Sequence, residues 1–208
     1  MIAWTLVAIA KLLTGAQVVR PLPAGPPRQR VFFANHTSHL DFVVLWAALP
    51  KEIRKRTRPV GGRDYWGTSA LRRYIAENAF NAILIDRSKT KQSPEQAAAV
   101  AQSQIERIAA EMGDHYSIIV FPEGTRGSGE RVGPFKSGLF HLCRLKPGLE
   151  LVPVYLANMN RILPKGEIVP VPMVGSVIFG DPLRMEEGED KESFLTRTRE
   201  AVVRLRGS

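Results

Sequence analysis

The sequence predicts an α/β fold: a mostly parallel or mixed sheet flanked by helices on both faces, with an apolar, membrane-associated helix at the amino terminus. Short apolar, β-branched runs recur at RVFFAN, TRPVGG, NAILID, YSIIVFPE, ELVPVYL and VPMVGSVIFG, residues 30–35, 57–62, 81–86, 116–123, 150–156 and 171–180. Helical patterns fall between and after them at 38–49, 64–79, 94–112, 135–146 and 189–206. The strand-like runs are continuously apolar, as strands covered on both faces must be.

Taken in order, the first element is IAWTLVAIAKLLTGAQVV, residues 2–19, interrupted by Lys11. As a helix it reaches about 27 Å, just short of a comfortable bilayer crossing, so it can span, lie in the interface, or pack as a core helix. A cleaved signal peptide fits poorly, because no basic residue precedes the apolar run. This divides the chain into residues 1–20, a membrane-associating helix, and 21–208, a single α/β domain that starts at the Pro-rich PLPAGPP linker.

Composition narrows the partners. With 29 Lys plus Arg against 20 Asp plus Glu, the net charge is +9, which favours an anionic partner: nucleic acid, a phosphorylated metabolite or a lipid surface. The apolar segment beside Arg20, Arg28 and Arg30, with the later KEIRKRTR cluster at 51–58, selects an anionic lipid surface over nucleic acid. The single cysteine, Cys143, excludes an intramolecular disulfide and a cysteine-rich zinc site, and reads as core packing.

The chemistry is concentrated in NHTSHLD, residues 35–41, where a strand run gives way to a helical one. Ser38 followed by Asp41 fits a capping box with Asp in place of Glu, which explains the aspartate and not the histidine. A metal site needs His36, His39 and Asp41 to converge and lacks a further ligand, so none is expected. A relay needs only His36 at the turn and Asp41 in the first helical turn. Asp41 then fixes the imidazole tautomer and leaves His36 as a general base, with His39 structural. Two other strand ends carry arginines: Asp86-Arg87 after ILI, and Glu123, Gly124, Thr125 and Arg126 after IIVFP. Arg87 and Arg126 together can clamp a phosphate, and Lys136 in PFKSG reads either as an assistant or as a solvated lysine.

NHTSHLD, AILIDR, FPEGTR and LVPVYL, in this order, resemble the four sequence blocks of the glycerolipid acyltransferases, best known from the 1-acylglycerol-3-phosphate acyltransferases. The resemblance runs from about residue 31 to GDPL at 180–183, and the first and third blocks carry most of its specificity. It departs at Asn81, where glycine is common, at Leu84 for phenylalanine and at Gly127 for serine; the segment ahead of the first block is also shorter than in many membrane-bound members. The resemblance implies His36 as base with Asp41 as its partner. It implies acceptor-phosphate contacts from Arg87, Glu123, Gly124, Thr125 and Arg126, and an acyl-donor site lined near Pro153.

The implied activity is transfer of a fatty acyl group from acyl-CoA or acyl carrier protein, as co-substrate, to the hydroxyl of a lysophospholipid. The leading acceptor is 1-acylglycerol-3-phosphate, giving phosphatidic acid; another lysophospholipid or a lyso-aminolipid is the alternative within the class. No cofactor is expected, and the place of work is the cytoplasmic face of the inner or plasma membrane. A serine hydrolase would need a nucleophile elbow, and GTSAL at 67–71 lacks its final glycine. A non-catalytic module binding anionic lipid would leave His36 and Asp41 unexplained.

Overall fold

The structure is a computed structural model in which residues 15–25, 28–86, 93–162 and 174–207 are described. Most of the expected amino-terminal helix, residues 1–14, and Arg87 lie outside these residues.

Seven strands form one sheet: β1 (Gln17–Arg20), β2 (Arg30–Ala34), β3 (Thr57–Gly62), β4 (Ile83–Ile85), β5 (Ser117–Val120), β6 (Glu150–Ala157) and β7 (Ser176–Phe179), in the order β1-β7-β6-β2-β5-β3-β4. The five strands from β2 to β6 run parallel; β7 pairs antiparallel to β6, and β1 runs parallel to β7. The sheet is therefore mixed. Helices are α1 (Asp41–Ala48), α2 (Lys51–Lys55), α3 (Arg63–Trp66), α4 (Ala70–Tyr74), α5 (Pro94–Met112), α6 (Gly138–Leu145), α7 (Met159–Ile162) and α8 (Lys191–Arg204), with a π-helical turn at Ile75–Ala79.

Alternation along β2 shows why its run is uninterrupted. Val31 and Phe33 face a core built with α5, α6 and α8, through Ile108, Met112, Leu139, Leu142, Phe194 and Val202. Phe32 and Ala34 face a second core with α1 and α7, through Val44, Leu45, Met159 and Ile162. Each such side chain, fully buried, contributes about 1.5–3 kcal/mol, so both faces select against polar residues.

Two expectations change. Residues 17–20, assigned from hydropathy to the end of the first helix, are a strand, because Gln17 to Arg20 register against Ser176 to Ile178 of β7. No helix among the described residues is long and apolar enough to cross a membrane. The run at 64–79 also breaks into α3, α4 and the π turn. Gly67 closes α3, and the hydroxyl of Ser69 accepts from the Arg72 backbone N–H to start α4. Ser69, the serine of the GTSAL segment, is thus a helix cap.

The parallel strands fix the two edges of the sheet. β2, β5, β3 and β4 all end at one edge, which gathers the segments after Ala34, Val120, Gly62 and Ile85. β1 runs the opposite way to β6, so Gln17, level with Ser176 and hence with Ala157, begins at this same edge. The 51–58 cluster lies at the other one, because Thr57 opens β3. It is thus at the opposite strand ends from Gln17, while the expected apolar helix ahead of residue 15 lies outside the described residues.

Candidate active site

NHTSHLD is held between two strand ends. The Asn35 side chain donates to Leu156 O at 2.9 Å and accepts from Leu156 N–H at 2.8 Å, extending the β2–β6 pairing by one residue beyond Ala34. His36 follows with its backbone pinned on both sides. Its N–H donates to Glu123 Oε1 at 2.8 Å, and its carbonyl accepts from Gly127 N–H at 2.8 Å. The turn then brings Asp41, fully buried at the start of α1, under the imidazole.

Asp41 Oδ2 accepts three hydrogen bonds: from His36 Nδ1 at 2.8 Å, Thr37 N–H at 2.6 Å and Ser38 N–H at 2.9 Å. The two N–H donors leave Oδ2 acting as acceptor, so the imidazole must present Nδ1–H to it, and Nε2 is the nitrogen left for the cleft that His36 lines. The reciprocal half of a capping box is missing, since Asp41 N–H goes to the Ser38 carbonyl at 3.3 Å rather than to its hydroxyl. Phe121 stacks on the ring of His36 with centroids 4.4 Å apart and planes at 23°.

The cleft, about 240 Å³, runs from His36, Arg126 and Phe121 along Pro59 to Gly62 of β3 and under an aromatic wall that includes Phe42, Tyr65, Trp66 and Phe80. His39 belongs to this wall, stacked on Tyr65 with centroids 3.9 Å apart. A second cavity of about 160 Å³ shares Val60 and Phe121 with the cleft and is otherwise lined mainly by apolar side chains of β5, α5 and α6, with Lys136 and Gly124 on its wall. Gly124 is required there: its φ is 70°, and a side chain would meet the Lys136 chain within 3 Å.

The structure therefore brings His36, Asp41 and Arg126 together. Glu123 takes a different part from the one the resemblance implies. It is buried, and its carboxylate is used up bracing the site: Oε1 accepts from His36 N–H and Oε2 from Gly133 N–H at 2.9 Å. A carboxylate so placed would repel an acceptor phosphate rather than hold it. Thr125 is exposed and does not line the cleft. Pro153 sits inside β6, opposite Phe33 and against Gly180, away from both cavities. Its carbonyl accepts from Gly180 N–H at 2.8 Å, so the missing proline donor faces the point where β7 has ended, which is why a central strand tolerates it. Arg87 lies outside the described residues. Phe121 and the aromatic wall escaped the sequence reading, because an aromatic after a strand looks the same whether it packs in a core or against a base.

The acyltransferase family profile matches residues 18–157, most of the chain, and takes in the histidine turn, the arginine loop and β6. The chain belongs to the acyltransferase family. Among curated acyltransferases, it is 31% identical over 162 residues to the 1-acyl-sn-glycerol-3-phosphate acyltransferase alpha of Mus musculus, covering 76% of this chain and 51% of the relative. It is 28% identical over 147 residues to the 1-acyl-sn-glycerol-3-phosphate acyltransferase of Salmonella typhimurium, covering 68% and 52%. The chain thus spans about half the length of the curated relatives it matches. The crystal structure of a 1-acyl-sn-glycerophosphate acyltransferase from Thermotoga maritima shares the fold, with a TM-score of 0.72 at 18% identity, covering 99% of this chain and 78% of that one. Of the blocks read from the sequence, the first and third meet at this cleft through His36 and Arg126, whereas the fourth lies within β6 away from it.

Proposed function

We propose that this acyltransferase moves a fatty acyl group from an acyl thioester to the free hydroxyl of 1-acylglycerol-3-phosphate, giving phosphatidic acid. One observation carries the reading: His36, tied through Nδ1 to the buried Asp41 carboxylate at 2.8 Å, lines the same cleft as Arg126. His36 Nε2 takes the proton of the acceptor hydroxyl as its oxygen attacks the thioester carbonyl, and Asp41 stabilises the imidazolium. The tetrahedral adduct then expels the thiolate as the C–S bond breaks, and His36 returns the proton to sulfur. No bond to the enzyme forms.

Arg126 holds the acceptor phosphate, which sits a few bonds from the reacting hydroxyl and so fixes it at the base. The acyl chain of the donor lies in the apolar cavity behind Phe121. The acceptor is supported by the similarity to 1-acyl-sn-glycerol-3-phosphate acyltransferases. The enzyme works at a membrane surface: the apolar residues 2–14 lead into β1 at the edge of the sheet that carries His36.

Thiol release from an acyl thioester, followed with and without 1-acylglycerol-3-phosphate, tests the reaction. Release that needs the acceptor, with phosphatidic acid as product, is expected; release without it would indicate a hydrolase, and no release a binding module. For the membrane, flotation with vesicles should be lost on removing residues 1–14, a cut that spares β1. Undiminished flotation would place the attachment elsewhere.

A further inference from the structure

The loop that follows Arg126, residues 127–134, has no helix or strand of its own, yet both of its ends bear on His36. Gly127 N–H donates to the His36 carbonyl, and Gly133 N–H donates to Glu123 Oε2, whose partner oxygen accepts from His36 N–H. Such a loop keeps one shape only as far as outside groups bind its carbonyls. Three side chains from later in the sequence do so. Asn160 in α7 donates to Ser128 O at 2.9 Å, and Arg206, just past α8, donates to Glu130 O at 2.5 Å. Arg199 of α8 takes the last two carbonyls: Nη2 donates to Val132 O at 2.7 Å, and Nε to Val132 O and Gly133 O, both at 3.1 Å.

Arg199 differs from the other two in what lies on the far side of its peptide. Val132 O and Gly133 N–H belong to one peptide unit, and a cation on the oxygen draws electrons toward it and makes the N–H a stronger donor. That N–H is the one on Glu123 Oε2, at 2.9 Å. The approach is close: a Cβ at Gly133 would lie 2.7 Å from the same oxygen. Among the described residues no ion pair reaches Glu123, a buried carboxylate, so Arg199 supplies compensating charge through a peptide rather than by contact. The core fixes where Arg199 stands. Phe194, Thr198 and Val202, four residues apart on α8, are each 0% exposed and set the rotation of the helix, and Arg199 follows Thr198 at the partly buried margin of that face. All of α8 lies beyond residues 18–157, which match the family profile.

We propose that Arg199 is a positioning residue for acyl transfer: it holds and polarises the 132–133 peptide, so that Glu123 keeps the His36 backbone where the imidazole meets Asp41. This role rests on His36 being the base, and it adds a residue from outside the acyltransferase blocks. The chain of contacts runs from Arg199 through the peptide and the Glu123 carboxylate to His36 N–H. Arg126 leads into the same loop, so an effect on the base must be told apart from an effect on the acceptor phosphate.

The test compares the full chain with Arg199→Met, Arg199→Lys and, as a control on the same helix, Arg197→Gln, which breaks the pair with Glu189 and leaves the loop untouched. Thiol release is followed with 1-acylglycerol-3-phosphate and with a neutral monoacylglycerol as acceptors. Arg199→Met should lower kcat about tenfold on both, with KM nearly constant, because a charge-assisted contact behind the base is lost. Arg199→Lys keeps the charge with a single reaching group and should lose only about threefold. Arg197→Gln should lower Tm and leave kcat at 25 °C unchanged. Exchange of the His36 amide hydrogen, followed by NMR, should quicken about tenfold in Arg199→Met and stay as in the parent in Arg197→Gln. Combining Arg199→Met with Glu123→Gln should cost no more kcat than Glu123→Gln alone. Unchanged kcat in a folded Arg199→Met, a lysine variant as slow as the methionine one, or an equal loss in Arg197→Gln would overturn the proposal. So would a KM rise confined to the phosphate-bearing acceptor, which would put Arg199 behind Arg126 instead. If Arg199→Met does not fold, Arg199→Lys decides, and parent-like kcat and His36 exchange in it would overturn the role. If the parent itself transfers no acyl group, the acyl-transfer reading fails, and His36 exchange still decides whether Arg199 braces that residue.

Discussion

Replacing Asp41 by Asn separates the charge of the relay from its geometry. Thr37 N–H and Ser38 N–H both point at Oδ2, at 2.6 and 2.9 Å, so the amide must place its oxygen there and keep accepting from His36 Nδ1–H. The tautomer is preserved and only the negative charge is lost. At 2.8 Å and an effective dielectric of about 20, the attraction between a full imidazolium and the carboxylate is about 6 kcal/mol. With the proton about half transferred at the transition state, about 3 kcal/mol of it is lost, or about a hundredfold in kcat. The amide NH2 falls where Oδ1 is now buried without a hydrogen-bond partner, at a cost of about 1–3 kcal/mol in stability and about 2–10 °C in Tm. Steady-state thiol release at 25 °C, with thermal melts and circular dichroism on the same samples, gives both numbers. The expected result is a hundredfold or somewhat larger fall in kcat, with KM nearly constant. His36→Ala should lose more, and His36→Ala with Asp41→Asn no more than His36→Ala alone, because the two act as one unit. A folded Asp41→Asn protein that keeps over a tenth of its turnover, or a double variant with additive losses, would refute the relay.

Three further outcomes follow from particular contacts. Arg126→Ala should raise KM for 1-acylglycerol-3-phosphate tenfold or more and leave a neutral monoacylglycerol acceptor nearly unaffected, measured as product formation from each; equal losses would remove Arg126 from the phosphate site. Glu123→Gln should cost about 1–3 kcal/mol, read by urea denaturation, because one amide cannot accept from both His36 N–H and Gly133 N–H; it should lower kcat on charged and neutral acceptors alike. Glu189→Gln should lower Tm at pH 7, since the hydrogen bond from Arg197 holds the Glu189 pKa below its ordinary value. A lowered carboxylate pKa stabilises the fold above the unfolded value near 4.5, so the gap in Tm should close as the pH falls below that, and a pH-independent gap would contradict the pairing.

Much of this was legible in residue order. β3 and α5 fall at the residues their runs predict, and β2, β4, β5 and β6 lie within theirs or within one residue, because a strand buried on both faces must be apolar without interruption. His36 and Asp41 were legible because a relay between a turn and the first helical turn is local: five residues of chain place both partners. β1 was hidden, since Gln17 to Arg20 continues an apolar run and becomes a strand only by pairing with β7, some 160 residues away, as the register of Gln17 with Ser176 shows.

The parts played by Glu123 and Pro153 were also decided by tertiary structure. The FPEGTR spacing carries Glu123 to the site, but only the approach of Gly133 and of the His36 backbone shows that its charge is consumed in holding the base. Pro153 looks like part of a site from its block and proves to be interior strand. The sequence by itself determined which groups can do the chemistry, because those side chains are near neighbours along the chain. What tertiary structure decided was which groups face one another across strands. Stacking of Phe121 on His36, and the meeting of His36 with Arg126 in one cleft, depend on packing between segments that no local spacing encodes.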